Sequence, residues 1–212
     1  MDSNSLLTCS KEELVKIIVD LNEKITKIQN DYHKITNLRL YNLERNAYMN
    51  AQYLRRDTFE ITGIPADIDN ENIEDQVIEI LNKDLKVNVN RQPIKKIDIH
   101  ASHRFGKKDK VIVKVVNRKF AEQAIRNGKK LKNSKRYGES TKLFINESLI
   151  PEFNFLGYVI RNAARNKLIS RYKIRNGVYS VQIKENEDFI EIGHQNDLEN
   201  AGIAVPEKNQ VS

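Results

Sequence analysis

The chain changes hydrophobic rhythm near residue 57. Ser10 followed by Glu13 is a capping-box pattern, in which the hydroxyl accepts the third amide of the helix and the carboxylate reaches back. Leu14, Ile18, Leu21, Ile25, Ile28 and Tyr32 then recur at alternating intervals of four and three. That is a heptad seam, with Ile18, Ile25 and Tyr32 at a and Leu14, Leu21 and Ile28 at d. No glycine or proline interrupts residues 10–62. Beyond Tyr32 the seam runs through Thr36, Leu40 and Leu43, a four-residue insertion that locally unwinds a supercoil. One long amphipathic helix folded back on its own domain is the alternative, but the apolar stripe is sparse, which favours a coil.

From Asp57 the pattern becomes that of packed domains. Thr58–Ile64 alternates and stops at Pro65, as a strand does; Asp69–Leu85 carries Ile73, Val77, Ile80 and Leu81 at helical spacing. Ile94–Arg104 reads as a strand, burying Ile97, Ile99 and Ala101 and exposing Asp98, His100, Ser102 and Arg104. Val111–Val116 is a β-branched run, Phe120, Ala121, Ala124, Ile125 and Leu131 mark a second helix, and Leu143–Ile145 gives a short last strand. The order β-α-β-β-α-β is the split pattern of ferredoxin-like and RNA-recognition-motif folds.

A smaller unit follows. Ser148, Pro151 and Glu152 open a helix burying Phe155, Leu156, Val159, Ile160 and Ala163. Asn176-Gly177 between two alternating runs predicts a hairpin, since a type I′ turn needs positive φ twice. Phe189–Ile192 adds a strand, and Asp197–Leu198 begins a short helix. The expectation is an α+β chain: coiled coil over 10–55, RNA-recognition-like domain over 56–147, small α+β domain over 148–200, and a tail over 201–212.

Charge sharpens this picture. Residues 98–142 hold 14 lysines and arginines against 4 acids, and residues 143–183 hold 6 against 2, whereas 184–212 hold 2 against 7. A basic centre with acidic flanks is the footprint of a polyanion binder. A single cysteine, Cys9, allows no internal disulfide and predicts a reducing compartment. The sequence carries neither a signal-peptide pattern nor an apolar run of membrane-spanning length. The expected location is therefore intracellular, in a cytoplasmic or nuclear ribonucleoprotein.

Catalytic and metal chemistry find no constellation. His100 and His103 fall on opposite strand faces by alternation, and neither a phosphate-binding loop nor a dinucleotide fingerprint is present. Asp98, His100 and Ser102 share one face but stand about 7 Å apart per step, too far for direct proton transfer. The expectation is no enzyme, no cofactor and no metal.

The cations are more informative. Lys110 and Lys114 alternate with Val111, Val113 and Val115, so they and Arg104 are expected on the open sheet face, with Lys107 and Lys108 in the adjoining loop. Phe59 alternates to the core, so this face is expected to lack stacking aromatics and to bind phosphate without reading sequence. Arg118, Lys119, Arg126, Lys129, Lys130, Lys132, Lys135 and Arg136 extend the basic surface. In the small unit Tyr158, Arg161 and Arg165 share a helix face, and Arg171, Lys173 and Arg175 share a strand face opposite Tyr172 and Ile174. Singly each is more often a solvated charge; together they exceed what solubility needs.

Several stretches resemble the first-open-reading-frame proteins of LINE-type retrotransposons. They are the run from Leu54 to Pro65, Ile99 to Gly106 with its His103-Arg104-Phe105-Gly106, Val111–Arg118, and Leu143–Leu149 with its Asn146-Glu147-Ser148-Leu149. The C-terminal unit is also similar to the few-polyhedra protein of baculoviruses. The likeness covers roughly residues 39–199 and rests on diffuse patterns. It implies a homotrimeric RNA-binding nucleic-acid chaperone. Arg39-Leu40-Tyr41-Asn42-Leu43-Glu44 matches the Arg-h-x-x-h-Glu pattern of parallel three-stranded coils, with Leu40 and Leu43 in the seam and Arg39 paired to Glu44 of a neighbour. The chain departs from many such proteins in lacking a zinc finger and in its short coil. Expected partners are single-stranded RNA or DNA and further copies of the chain, with no membrane or small-molecule substrate. A viral structural or trafficking factor of the few-polyhedra type is the alternative.

Overall fold

In the computed structural model, residues 10–66, 70–105 and 109–206 are described. The fold is α+β: a long N-terminal helix followed by antiparallel sheets. The chain divides into two compact units between Arg45 and Asn46.

Helix α1 spans Lys11–Tyr53, 43 residues and so about 65 Å. Its start is the capping box: Ser10 N donates to Glu13 Oε2 at 2.8 Å, and Glu13 N donates to Ser10 Oγ at 3.3 Å. Within the first unit Ile18, Leu21, Ile25, Ile28, Tyr32, Leu40 and Leu43 all show half or more of their surface, as do Ile35 and Leu38. Ile35 follows Ile28 by one heptad, so the d row reaches one position further than the spacing of six residues implied. Leu14 is half-buried and Arg39 exposed.

The second unit contains two cores. In the first, β1 (Thr58–Thr62) is central, and β4 (Ile99–Arg104), β5 (Lys110–Val115) and β6 (Phe144–Glu147) complete an antiparallel sheet of order β4-β5-β1-β6. Helix α2 (Asn70–Glu79), continued by a π-helical turn Ile80–Asp84, and α3 (Arg118–Asn127) cover one face. Phe59, Ile61, Val111, Val113 and Val115 from the sheet meet Ile73, Val77, Ile80, Leu81, Phe120 and Ala124 from the helices. Strand alternation and helical periodicity thus deliver apolar side chains to one layer.

The segment 94–104 departs from the expected strand. Asn82 takes both backbone groups of Ile94, its Nδ2 donating to the carbonyl at 2.8 Å and its Oδ1 accepting from the amide at 2.9 Å. Ile94 is therefore removed from any ladder. Residues before it form a small hairpin, β2 (Asn88–Val89) with β3 (Gln92–Pro93), and Lys96–Asp98 is a 3-10 turn whose Asp98 carboxylate accepts from Lys95 N at 2.8 Å. Ile97 is 82% exposed instead of buried.

A bulge then shifts the phase of β4. Ile99 pairs with Val115, but Ala101 pairs with Lys114, leaving His100 as the extra residue. Ala101 and His103 consequently share the open face with Lys114 and Ile112, while Ser102 and Arg104 join Val113 and Val111 on the helix side. The expected burial of Ala101 and the open-face placement of Ser102 and Arg104 are both reversed by this one residue.

The second core joins α4 (Pro151–Arg165), the sheet β7-β8-β9 (Arg171–Arg175, Val178–Gln182, Ile190–Ile192) and α5 (Gln195–Asn200). Phe153, two residues before the expected Phe155, fills the centre with Leu156, Val159, Ile160, Tyr179, Val181, Ile192 and Leu198, and Phe155 packs only at the edge. Asn176 (φ +53°) and Gly177 (φ +79°) make the hairpin turn. Tyr48, Met49 and Ala51 from the last turns of α1 pack against this same core. Gln52, 2% exposed, donates to Ser148 O and accepts from Ile150 N, both at 3.0 Å. A Cβ on Gly177 would collide with the Gln52 side chain. The compact unit therefore begins at Asn46, earlier than the expected domain start at 56.

Candidate nucleic-acid interface

On the open face of the four-stranded sheet the registers define rows. Thr58 lies opposite Lys114, Glu60 opposite Ile112 and Asn146, and Thr62 opposite Lys110 and Phe144. Lys110 projects here as alternation requires, but its Nζ is 2.7 Å from Glu60 Oε2; Lys114 Nζ is 3.7 Å from Asp57 Oδ2. Each cation is partly neutralised by its neighbour on β1 or the turn before it.

Two aromatics stand on this face, contrary to the expectation of none. Phe144, 52% exposed, pairs with Thr62; Phe105, 56% exposed, donates its backbone N–H to Lys110 O, and Lys110 Nζ sits 5.7 Å from its ring centroid. The sheet order separates the two rings by three strand spacings, about 14 Å, so they form separate platforms and not one. Leu143 is buried and Ile145 half-buried on either side of Phe144, so alternation turns its ring to the open face; Leu143-Phe144-Ile145, apolar throughout, gave no sign of which residue would face out.

Two of the expected nucleic-acid contacts are engaged within the chain. Arg104 Nη1 donates to Ile64 O at 2.9 Å and Nη2 to Pro65 O at 2.6 Å, since the bulge turns it to the helix side, where it ties down the chain after β1. Arg136, with a side chain 15% exposed, donates from Nε to Asp84 Oδ2 at 2.6 Å and from Nη1 to Glu79 Oε2 at 2.7 Å. Burial alone would lower its pKa, but these hydrogen bonds outweigh that and hold the guanidinium above its ordinary range. Lys83 first, then Arg136, keeps the Glu79 carboxyl below the usual carboxylate range.

The other cations differ in how far they are committed. Lys130 Nζ donates to Leu85 O at 3.1 Å, Lys135 pairs with Glu139 at 2.7 Å, and Arg118 approaches Glu122 at 3.9 Å. Lys119, Lys129 and Lys132 are exposed, and Lys107 and Lys108 lie outside the described residues. In the smaller core Tyr158, Arg161 and Arg165 share the exposed face of α4; Arg161 Nη1 donates to Tyr179 Oη at 3.5 Å and Arg165 Nη1 to Asn162 Oδ1 at 3.5 Å. Burial raises the Tyr179 pKa, with Arg161 opposing it. Arg171 pairs with Glu185 at 3.6 Å, and Lys173 Nζ sits 3.9 Å over the Phe189 ring.

Arg126 and Arg175, distant in sequence, meet at a cleft of about 400 Å³. Its walls come from α3 (Glu122, Ile125, Arg126), the β7–β8 hairpin (Ile174, Arg175, Asn176) and the end of α1 with its following turn (Gln52, Arg55, Arg56). Arg55 Nη1 donates to Leu149 O at 3.0 Å, and the Arg56 guanidinium lies 4.4 Å over the Tyr53 ring. Arg56 Nε is buried without a hydrogen-bond partner among the described residues. The cleft also holds Glu147, whose pKa burial pushes up; backbone N–H groups of Gly177 and Asn176 and the charge of Arg56 counter that. Four arginines thus face two carboxylates, one of which is occupied by the hairpin turn. Arg55 and Arg56 were not among the expected contacts, because nothing in their local sequence shows that a hairpin more than a hundred residues later closes over them.

Among the described residues, no helix is long and apolar enough to cross a membrane, and no group of three or more His, Cys, Asp or Glu could hold a metal ion. No family model matches the chain, and no curated protein matches it in sequence.

Proposed function

We propose that this protein is a non-enzymatic, oligomeric single-stranded nucleic-acid-binding protein of the retroelement-chaperone kind. The observation that carries the reading is the arginine cleft, with Arg55, Arg56, Arg126 and Arg175 converging from three separate parts of the chain. Guanidinium groups match phosphate geometry, and a cleft open to solvent admits a flexible strand more readily than a duplex. Support for an RNA-recognition-like domain comes from the sheet order β4-β5-β1-β6 with both helices on one face. Support for a coiled coil comes from the exposed heptad positions along α1, which leave apolar surface in water unless another helix covers it.

The mechanism follows from these parts. A coil gathers three basic modules, and each neutralises several phosphates through weak, exchanging contacts. Linked in one assembly, such contacts coat a strand and screen repulsion between strands that are to anneal. The test is light scattering of the purified chain with and without single-stranded RNA, combined with its absorbance ratio at 260 and 280 nm. A trimer mass and a shift to larger particles with RNA are expected. A monomer with no affinity for RNA or DNA at low salt would refute the proposal.

A further inference from the structure

The β2–β3 hairpin is the least explained part of the fold. Its turn places Asn90 at φ +54° and Arg91 at φ +64°. The second of these is a position that glycine normally fills in a type I′ turn, because any side chain there is strained. Lys86, just before the hairpin, also has positive φ at +52°. Arg91 repays none of this strain locally: it is exposed and makes no hydrogen bond or ion pair among the described residues. Yet the hairpin is firmly rooted. Val87 and Ile94 at its base are buried, and Asn88 N donates to Gln123 Oε1 on α3 at 2.5 Å. Strain held by a rigid base and spent on presenting a cation points to a contact with something outside the chain.

What lies beside it supplies the ligand. The hairpin and α3 enclose a furrow of about 330 Å³ that contains Lys119 and Arg126. Arg126 and Glu122 also line the arginine cleft, so furrow and cleft adjoin across α3. Glu122 is met by Arg118 on its own helix, which reduces its repulsion of an anion. Lys119 and Arg126 are separated by about 10 Å along the helix axis.

We infer that the β2–β3 hairpin extends the binding track of a single nucleic-acid strand: the phosphodiester backbone leaves the cleft at Arg126, crosses α3 past Lys119, and is gripped by Arg91 at the hairpin tip. This rests on the proposed function and adds to it a further contact region, continuous with the cleft at Arg126.

The test is fluorescence anisotropy of oligouridylates of increasing length with the full chain, Arg91→Glu, Arg91→Gly, and Lys184→Glu as an exposed charge reversal elsewhere. The unaltered protein should gain affinity until the strand is long enough to fill cleft and furrow. Arg91→Glu should bind the shortest strands like Lys184→Glu but forfeit the gain from longer ones, with a salt slope lower by about 0.7 for each phosphate that is no longer neutralised. Arg91→Gly relieves the turn, so it should melt no lower than the unaltered protein and still forfeit the length-dependent gain. If both Arg91 variants follow Lys184→Glu at every length, the track is refuted while the proposed function stands. If the unaltered protein binds no strand of any length, both fall.

Discussion

Replacing Arg126 and Arg175 together by alanine removes one cation from each side of the cleft while leaving both cores alone. Both side chains are exposed, and neither has an ion pair among the described residues, so no buried acid is stranded by their removal. Alanine is also the best helix former for the Arg126 site on α3. The magnitude follows from counterion release. For single strands each neutralised phosphate contributes a slope of about −0.7 in log affinity against log salt. At 0.15 M salt that is about 0.6 log unit per phosphate, or roughly fifteenfold for two. The double variant should therefore bind a mixed-sequence strand about an order of magnitude more weakly at that salt, with a slope shallower by about 1.4. Anisotropy over a salt series measures both quantities at once. Arg136→Ala is the contrasting case: it should lower the urea midpoint, since a hydrogen bond to the charged Asp84 is worth about 1.5–3 kcal/mol, and leave the slope unchanged. An unchanged slope in the Arg126/Arg175 variant, with fold intact by circular dichroism, would remove the cleft from the binding surface.

A chain beginning at Asn46 should be a folded monomer by light scattering, whereas one beginning at Arg56 lacks Gln52 and strands two buried backbone groups, at about 1–3 kcal/mol each, visible as a lower urea midpoint. Phe105→Ala with Phe144→Ala should weaken binding by about 1–3 kcal/mol for each base stacked, with the salt slope unchanged; equal affinity in the double variant would confine recognition to phosphate. The raised Glu147 pKa means the folded chain holds a proton that the unfolded chain releases, so this group's contribution is full below the ordinary carboxylate range and is lost as pH rises through the raised value. Glu147→Gln should accordingly flatten the fall in stability above the ordinary carboxylate range in urea titrations at a series of pH values, and an unchanged pH profile would contradict it.

Local signals survived into the structure where a feature depends on few neighbouring residues. Asn176-Gly177 turns as its backbone preferences dictate, Val111, Val113 and Val115 alternate into the core, and the Ser10–Glu13 box starts α1. What failed depends on partners remote in sequence. The phase of β4 is set by one extra residue against β5, so Ala101, Ser102 and Arg104 could not be assigned from their own alternation, and Ile97 is turned out by the 3-10 turn before the strand. The strand at Ile94 was pre-empted by the side chain of Asn82, twelve residues earlier. Charge counting located the basic stretch, yet it cannot tell a cation facing solvent from one spent inside, such as Arg136 between Glu79 and Asp84.

The end of α1 connects the two halves of the proposed function. From Ala47 to Leu54 the helix end and the turn after it divide their faces: Tyr48, Met49, Ala51 and Gln52 face the second core, while Ala47, Asn50 and Leu54, which continue the spacing of Leu40 and Leu43, remain exposed. The same helix end carries Arg55 into the cleft and holds Ser148 and Ile150 through Gln52. Under the proposed function, helices that associate along this face would fix the orientation of Gln52, and with it one wall of each cleft. Oligomerisation would then do more than raise the local concentration of binding modules: it would stiffen the arginines that meet the strand, lowering the ordering cost of each contact. Affinity per module should therefore be higher in the full chain than in the chain from Asn46, even on strands too short to reach a second module. Equal affinities on such strands would leave multivalency as the sole contribution of the coil.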